Sequence, residues 1–177
     1  PTTIQAQSAV ETRAATTMGV PGPTIITRDG WGADPAYLNW SPEYRTVFKM
    51  VVHHTVTPNN YDEVQGAAWV RAIYYYHAVT LGWGDIGYNY LVDRYGNVYE
   101  GRYGGPDVVG GHVYSYNYGT VGVAAIGTFG NSGNSVQPND ELMGALTELF
   151  AWESSRSKIH PLQKASFQNV LIANLGG

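Results

Sequence analysis

A histidine pair closes one apolar run, Val51-Val52-His53-His54-Thr55, and a tyrosine opens another, Gly87-Tyr88-Asn89-Tyr90-Leu91. Strand ends that carry His and Tyr toward one face are a common way for α/β enzymes to build a metal or acid–base site. Neighbouring strand residues point to opposite faces, so only one of His53 and His54 can serve a given site. The other histidines are His77, His112 and His160, and none makes an HxH or HxxxH spacing with another. A catalytic zinc needs three protein ligands, so spacing alone leaves a metal set incomplete. His112 follows Gly110-Gly111 and precedes Tyr116-Asn117, a loop setting from which it could reach a ligand. No Gly-rich phosphate loop stands between a strand and a helix, and Ser8, Ser41 and Ser115 lack the surroundings of a nucleophile elbow.

These residues need a scaffold, and the apolar pattern supplies one. Residues 48–53 are short, β-branched and bounded by turn residues, which predicts a buried strand. Asn60 or Asp62 can cap a helix running to about Leu81, with Trp69, Ile73, Tyr76 and Thr80 at helical spacing and Gly82 as the stop. Residues 88–93 and 97–100 predict a hairpin turning through Arg94-Tyr95-Gly96-Asn97. Residues 121–127 predict another buried strand. Asn139 or Asp140 can cap a second helix over residues 141–155, with Leu142, Leu146, Leu149 and Phe150 inward. Residues 165–175 read as a third helix or a strand-containing loop. The order β-α-ββ-β-α predicts an α/β fold, a mixed β-sheet flanked by helices.

The chain has 177 residues, enough for one domain with a real core. A net charge of −4 with only ten Lys plus Arg gives no basic patch, so nucleic acid is not an expected partner. The uncharged stretch between Asp107 and Asp140 is rich in Gly, Asn, Ser and Tyr, not Leu or Ile, and predicts no membrane span. With no cysteine there is neither a disulfide framework nor a Cys nucleophile. Fourteen Tyr and five Trp offer flat apolar faces with a polar edge, which suit sugars and peptides. Residues 1–24, rich in Thr, Ala and Gln, are expected to be a linker-like, flexible segment, with the domain over 25–177.

Several segments together resemble the peptidoglycan recognition proteins and their relatives, the zinc-dependent N-acetylmuramoyl-L-alanine amidases. They are Ile26-Thr27-Arg28-Asp29-Gly30-Trp31-Gly32-Ala33, Val51-Val52-His53-His54-Thr55 and Gly82-Trp83-Gly84-Asp85-Ile86-Gly87-Tyr88-Asn89-Tyr90-Leu91. Gly96-Asn97-Val98-Tyr99-Glu100-Gly101-Arg102, Gly111-His112, Tyr116-Asn117 and Thr120-Val121-Gly122-Val123 follow in the family's order. The resemblance implies a mixed sheet with a groove for a muramyl peptide of peptidoglycan. It implies hydrolysis of the amide between N-acetylmuramic acid and L-alanine, with His53 as a zinc ligand and Tyr88 as catalytic partner. Trp83, His112 and Asn117, and with them Thr55 and Arg102, match groove-lining positions. The family takes its remaining zinc ligands from a Gly-His-Arg-Asp segment and a Cys or Asp beyond it. This sequence stops at Gly176-Gly177, so the domain is expected to be cut short there and to bind zinc weakly or not at all as it stands. A non-catalytic peptidoglycan-binding module is the alternative. A secreted or cell-wall associated protein of bacterial source is expected. Whether lysine or diaminopimelate is preferred at the third stem-peptide position stays open.

Overall fold

A computed structural model describes residues 19–130, 136–164 and 166. Its centre is a five-stranded mixed sheet. The strands are β1 (Ile25–Ile26), β2 (Lys49–His54), β3 (Tyr90–Val92), β4 (Val98–Glu100) and β5 (Thr120–Ala125). Their order across the sheet is β1-β4-β3-β5-β2. Only β3 and β4 run antiparallel, as the expected hairpin; β2 and β3 both lie parallel to β5. Asp93 builds the hairpin turn by accepting the amides of Tyr95 and Asn97.

The strands alternate, and each face meets helices. Leu91, Tyr99, Ala124 and Ile126 pack with Val70, Ile73, Tyr74 and Ala78 of the first helical layer. Tyr90, Val92, Val121, Val123 and Ala125 pack with Leu142, Leu146 and Leu149 of α3 (Asp140–Ser157) on the other side. The α/β architecture expected from the sequence is therefore present, as a sheet between two helical layers.

Particular elements depart from expectation for physical reasons. The first helix starts at Asp62 with a reciprocal capping box to Gln65. It runs on as a 3-10 turn, then α2 (Gly66–Tyr75), then a π-helical turn over Tyr76–Thr80. Its buried face is Val70, Ile73, Tyr74, His77 and Ala78, whereas Tyr76 and Thr80 are exposed. The spacing of Trp69, Ile73, Tyr76 and Thr80 signalled a helix correctly but not its inward stripe. The strand read as buried over 48–53 pairs with β5 alone among the described residues, and Val52 is 54% exposed. At the entry to α3, Asn139 stands at the cap position, yet its amide donates to the Arg94 carbonyl instead of capping the helix.

Of the expected N-terminal linker, residues 1–18 lie outside the described residues. Beyond them the chain runs against α3: the Val20 amide donates to Ser155 Oγ at 3.2 Å, and Gly22 lies on the Trp152 ring. The region read as a third helix or loop, 165–175, lies outside the described residues except for Ser166. Among the described residues no helix is long and apolar enough to cross a membrane.

Candidate functional site

The C-terminal end of β2 presents His53 and His54 to opposite faces, as a strand must. His54 turns toward the α3 layer, where its Nδ1 accepts the Phe129 amide at 2.9 Å. His53 turns to the other face, and its Nε2 lies 2.9 Å from His112 Nδ1. The His112 ring rests on β5 at Gly122, where any Cβ would collide with it at 2.2 Å. Gly122 therefore opens the sheet face to a ring. His112 Nε2 lies 3.1 Å from Thr120 Oγ1, which in turn donates to the Asn117 carbonyl at 2.9 Å. That bookkeeping puts the His112 proton on Nε2 and leaves Nδ1 to accept from His53. Asn117 holds the loop: its Oδ1 accepts the amides of His112 and Val113 at 2.8 and 2.9 Å.

Tyr88 stands beside this pair, its ring centroid 5.6 Å from that of His53. Burial raises its phenol above the ordinary range, so the hydroxyl keeps its proton at neutral pH and remains a donor. The Trp83 ring is 45% exposed and lies 4.7 Å from the His77 ring, which is itself 5.5 Å from Tyr88. Arg102 is 6% exposed, and its guanidinium stacks on Trp40 at 3.9 Å. Among the described residues its Nε and Nη1 have no hydrogen-bond partner, and Nη1 presses on Gly111 so closely that a Cβ there would sit 2.2 Å from it. Buried, unpaired N–H groups are costly, and a guanidinium in that state marks a place where an anion or carbonyl would be welcome.

Of the residues expected from the sequence, His53, Tyr88 and His112 come together directly, with Trp83 and Arg102 next to them through His77 and Gly111. Thr55 is committed elsewhere: its hydroxyl accepts the Gly127 amide at 2.9 Å and lies 2.8 Å from Thr57 Oγ1. These bonds hold the turn after β2, in which Val56 adopts φ 57°, strained for a β-branched residue. His77, Trp40, Thr120 and Gly122 were not singled out from the sequence. For His77 a signal existed in the short distance along the chain from the end of its helix to Gly82-Trp83-Gly84.

Burial, and secondarily the Arg102 charge, lowers the His77 pKa to about 4. His112 moves the same way, to about 3, through burial, then His53 and Arg102. The rings of Tyr76, Trp83 and Tyr88 and the Arg102 cation face His77, and none of them is an anion. Between its ordinary pKa of 6.5 and about 4, the unfolded chain binds a proton that folded His77 refuses. Its contribution is thus complete above about pH 6.5 and is lost as pH falls through that window, on the order of 3 kcal/mol in all. Urea unfolding at pH 7 and pH 4.5 should show a smaller loss in His77→Asn than in the parent chain.

Comparison with known proteins places the chain in a family and its fold among solved structures. The family described as N-acetylmuramoyl-L-alanine amidase matches residues 43–173. The chain belongs to that amidase family. A peptidoglycan recognition protein of Bombyx mori is 32% identical over 151 residues, 85% of this chain and 73% of the relative. Peptidoglycan-recognition protein SC2 of Drosophila melanogaster is 37% identical over 110 residues, 61% of this chain and 57% of the relative. The chain thus spans 57% of the length of the SC2 relatives it matches. Among solved structures, the Drosophila recognition protein SA superposes with a TM-score of 0.66 at 31% identity, covering 78% of this chain and 76% of the other. The ectodomain complex of recognition proteins LCa and LCx, solved with tracheal cytotoxin bound, gives 0.67 at 27% identity over 87% and 97%. These amidase-family relatives come from flies, a beetle and a moth, which corrects the expectation of a bacterial source.

Zinc can be tested against the donors this family member holds. Among the described residues no group of three His, Cys, Asp or Glu could hold a metal. His53 brings one imidazole, and its Nε2 faces His112 Nδ1, which bookkeeping makes an acceptor. The described donors do not make a catalytic zinc site.

Proposed function

We propose that this chain binds the muramyl-peptide unit of peptidoglycan across the face built by His53, Tyr88, Trp83 and His112. One observation supports the reading: His53, Tyr88 and His112, from three separate segments, meet near a buried guanidinium at Gly111 whose Nε and Nη1 have no partner among the described residues. An exposed indole, a phenol donor and a pair of imidazoles suit a ligand that is part sugar and part peptide. Arg102 supplies the complement for an acidic or carbonyl-rich stem peptide. Calorimetric titration with a muramyl tripeptide tests the proposal. Saturable one-to-one binding is expected, weakened about tenfold or more by Trp83→Ala, as for an exposed aromatic anchor. Absence of heat in the parent chain, or full affinity in the variant, would contradict it.

A second reading is hydrolysis of the amide between N-acetylmuramic acid and L-alanine. The proximity of the Tyr88 phenol to His53 favours it, because a protonated tyrosine can donate to a developing oxyanion. The two readings separate in one incubation of the same ligand with zinc, followed by mass spectrometry. Release of free tripeptide that stops in Tyr88→Phe supports hydrolysis. An intact ligand leaves recognition as the function.

A further inference from the structure

His77 is 9% exposed and sits in the π-helical turn that closes the first helix. Such turns interrupt the α-helical ladder and recur at functional sites. The His77 carbonyl, in the last turn of the helix, accepts the Trp83 amide at 3.0 Å. The side chain bonds the other end of the same loop: its Nδ1 accepts the Gly87 amide at 3.1 Å. Between these anchors lie Gly84, with φ 76°, and Asp85. Gly87 continues the connection, since its carbonyl accepts the Gly111 amide at 2.7 Å, directly before His112. A Cβ at Gly87 would stand 2.7 Å from the Gly111 carbonyl oxygen, so this close approach of two loops leaves no room for a side chain there. The His77 ring also fills the space between Trp83 and Tyr88.

We infer that His77 is the positioning residue of the site, holding Trp83 and Tyr88 in register with His53 and, through Gly87 and Gly111, with His112. The functional half of this inference rests on the muramyl-peptide reading above; the clamp itself does not. With Nδ1 engaged by Gly87, the neutral ring carries its proton on Nε2. An asparagine side chain places an acceptor oxygen close to the position of Nδ1, whereas leucine keeps bulk without an acceptor.

The test compares the parent chain, His77→Leu and His77→Asn by amide hydrogen exchange and by calorimetry with a muramyl tripeptide. In His77→Leu, exchange at Gly87 should accelerate about tenfold or more, the Trp83 and Tyr88 ring signals should move without ligand, and affinity should fall about tenfold or more. His77→Asn should restore Gly87 protection and bring affinity back to within about threefold of the parent. Unchanged Gly87 exchange in His77→Leu overturns the clamp, as does an Asn variant that behaves like Leu. Lost affinity with Gly87, Trp83 and Tyr88 unmoved would make His77 a direct ligand contact and overturn the positioning role. If the parent chain binds no muramyl tripeptide, the functional reading falls, and the exchange data still decide the clamp.

Discussion

Replacing Arg102 with methionine should cost about 30-fold or more in affinity for a stem peptide that carries a free carboxylate near the site. The guanidinium is buried, and its Nε and Nη1 have no hydrogen-bond partner among the described residues. A carboxylate brought there would gain charge-assisted hydrogen bonds out of water, worth about 2–5 kcal/mol when one partner is removed. Lysine should not substitute, because a point charge cannot reproduce the planar fork or its stacking on Trp40 at 3.9 Å. The same reasoning orders the ligands. A peptide with diaminopimelate at its third position has one carboxylate more than a lysine peptide, so the parent chain should prefer it and Arg102→Met should not. Folding should respond oppositely: removal of a buried, partly unsatisfied cation should leave stability unchanged or raise it by about 1–2 kcal/mol. Calorimetry with both peptides and denaturant unfolding of both proteins check the two halves. A variant that loses stability along with affinity would make Arg102 a structural residue.

The largest loss of stability is expected from Asp85→Ala. Asp85 is completely buried; its Oδ1 accepts Arg28 Nη1 at 3.0 Å and its own neighbour's Ile86 amide at 2.7 Å. Its Oδ2 accepts the Tyr103 amide at 2.8 Å. One carboxylate thus ties α1 (Arg28–Trp31), the loop carrying Trp83 and Tyr88, and the residue after Arg102. Removing it strands the Arg28 cation among Trp31 and Tyr74, which its guanidinium faces at 5.4 and 4.7 Å. Breaking one side of a buried pair costs about 3–5 kcal/mol, and for a chain of this size that lowers the melting temperature by about 6–20 °C. The double variant Arg28→Met with Asp85→Leu should recover part of the loss, because no charge is then left unpaired. A loss under about 1 kcal/mol in Asp85→Ala would show that the pair behaves like a surface ion pair.

Much of this was legible in the chain itself. Residues 88–93 and 97–100 with the Arg94-Tyr95-Gly96-Asn97 turn indicated the hairpin, and Asp62 was one of two residues that marked the helix start. His53 could be named because it closes an apolar run, and Tyr88 and His112 because each follows a Gly-rich turn. The rest depended on contacts distant in sequence. The turn over Tyr76–Thr80 is π-helical, closed by the Leu81 amide on the Tyr76 carbonyl, and no periodicity shows it. The pairing of His53 with His112 needs Gly122, a strand glycine whose role appears only when a ring lies on it. Arg102 matched a groove-lining position, but its burial over Trp40 appears only in the fold, and Thr55 reads as a site residue until its hydroxyl is found holding a turn.

The central claim is that the face around His53, Tyr88 and His112 receives a muramyl peptide. Amide and side-chain NMR shifts recorded through a titration with diaminopimelate-type muramyl tripeptide address it most directly. The account predicts saturable shifts at Gly87, Gly111, His112, the Trp83 indole and the Arg102 guanidinium. Shifts confined to the apolar cavity of about 560 Å³ behind His54, at Val52, Met143 and Phe150, would contradict it, as would no shift at all.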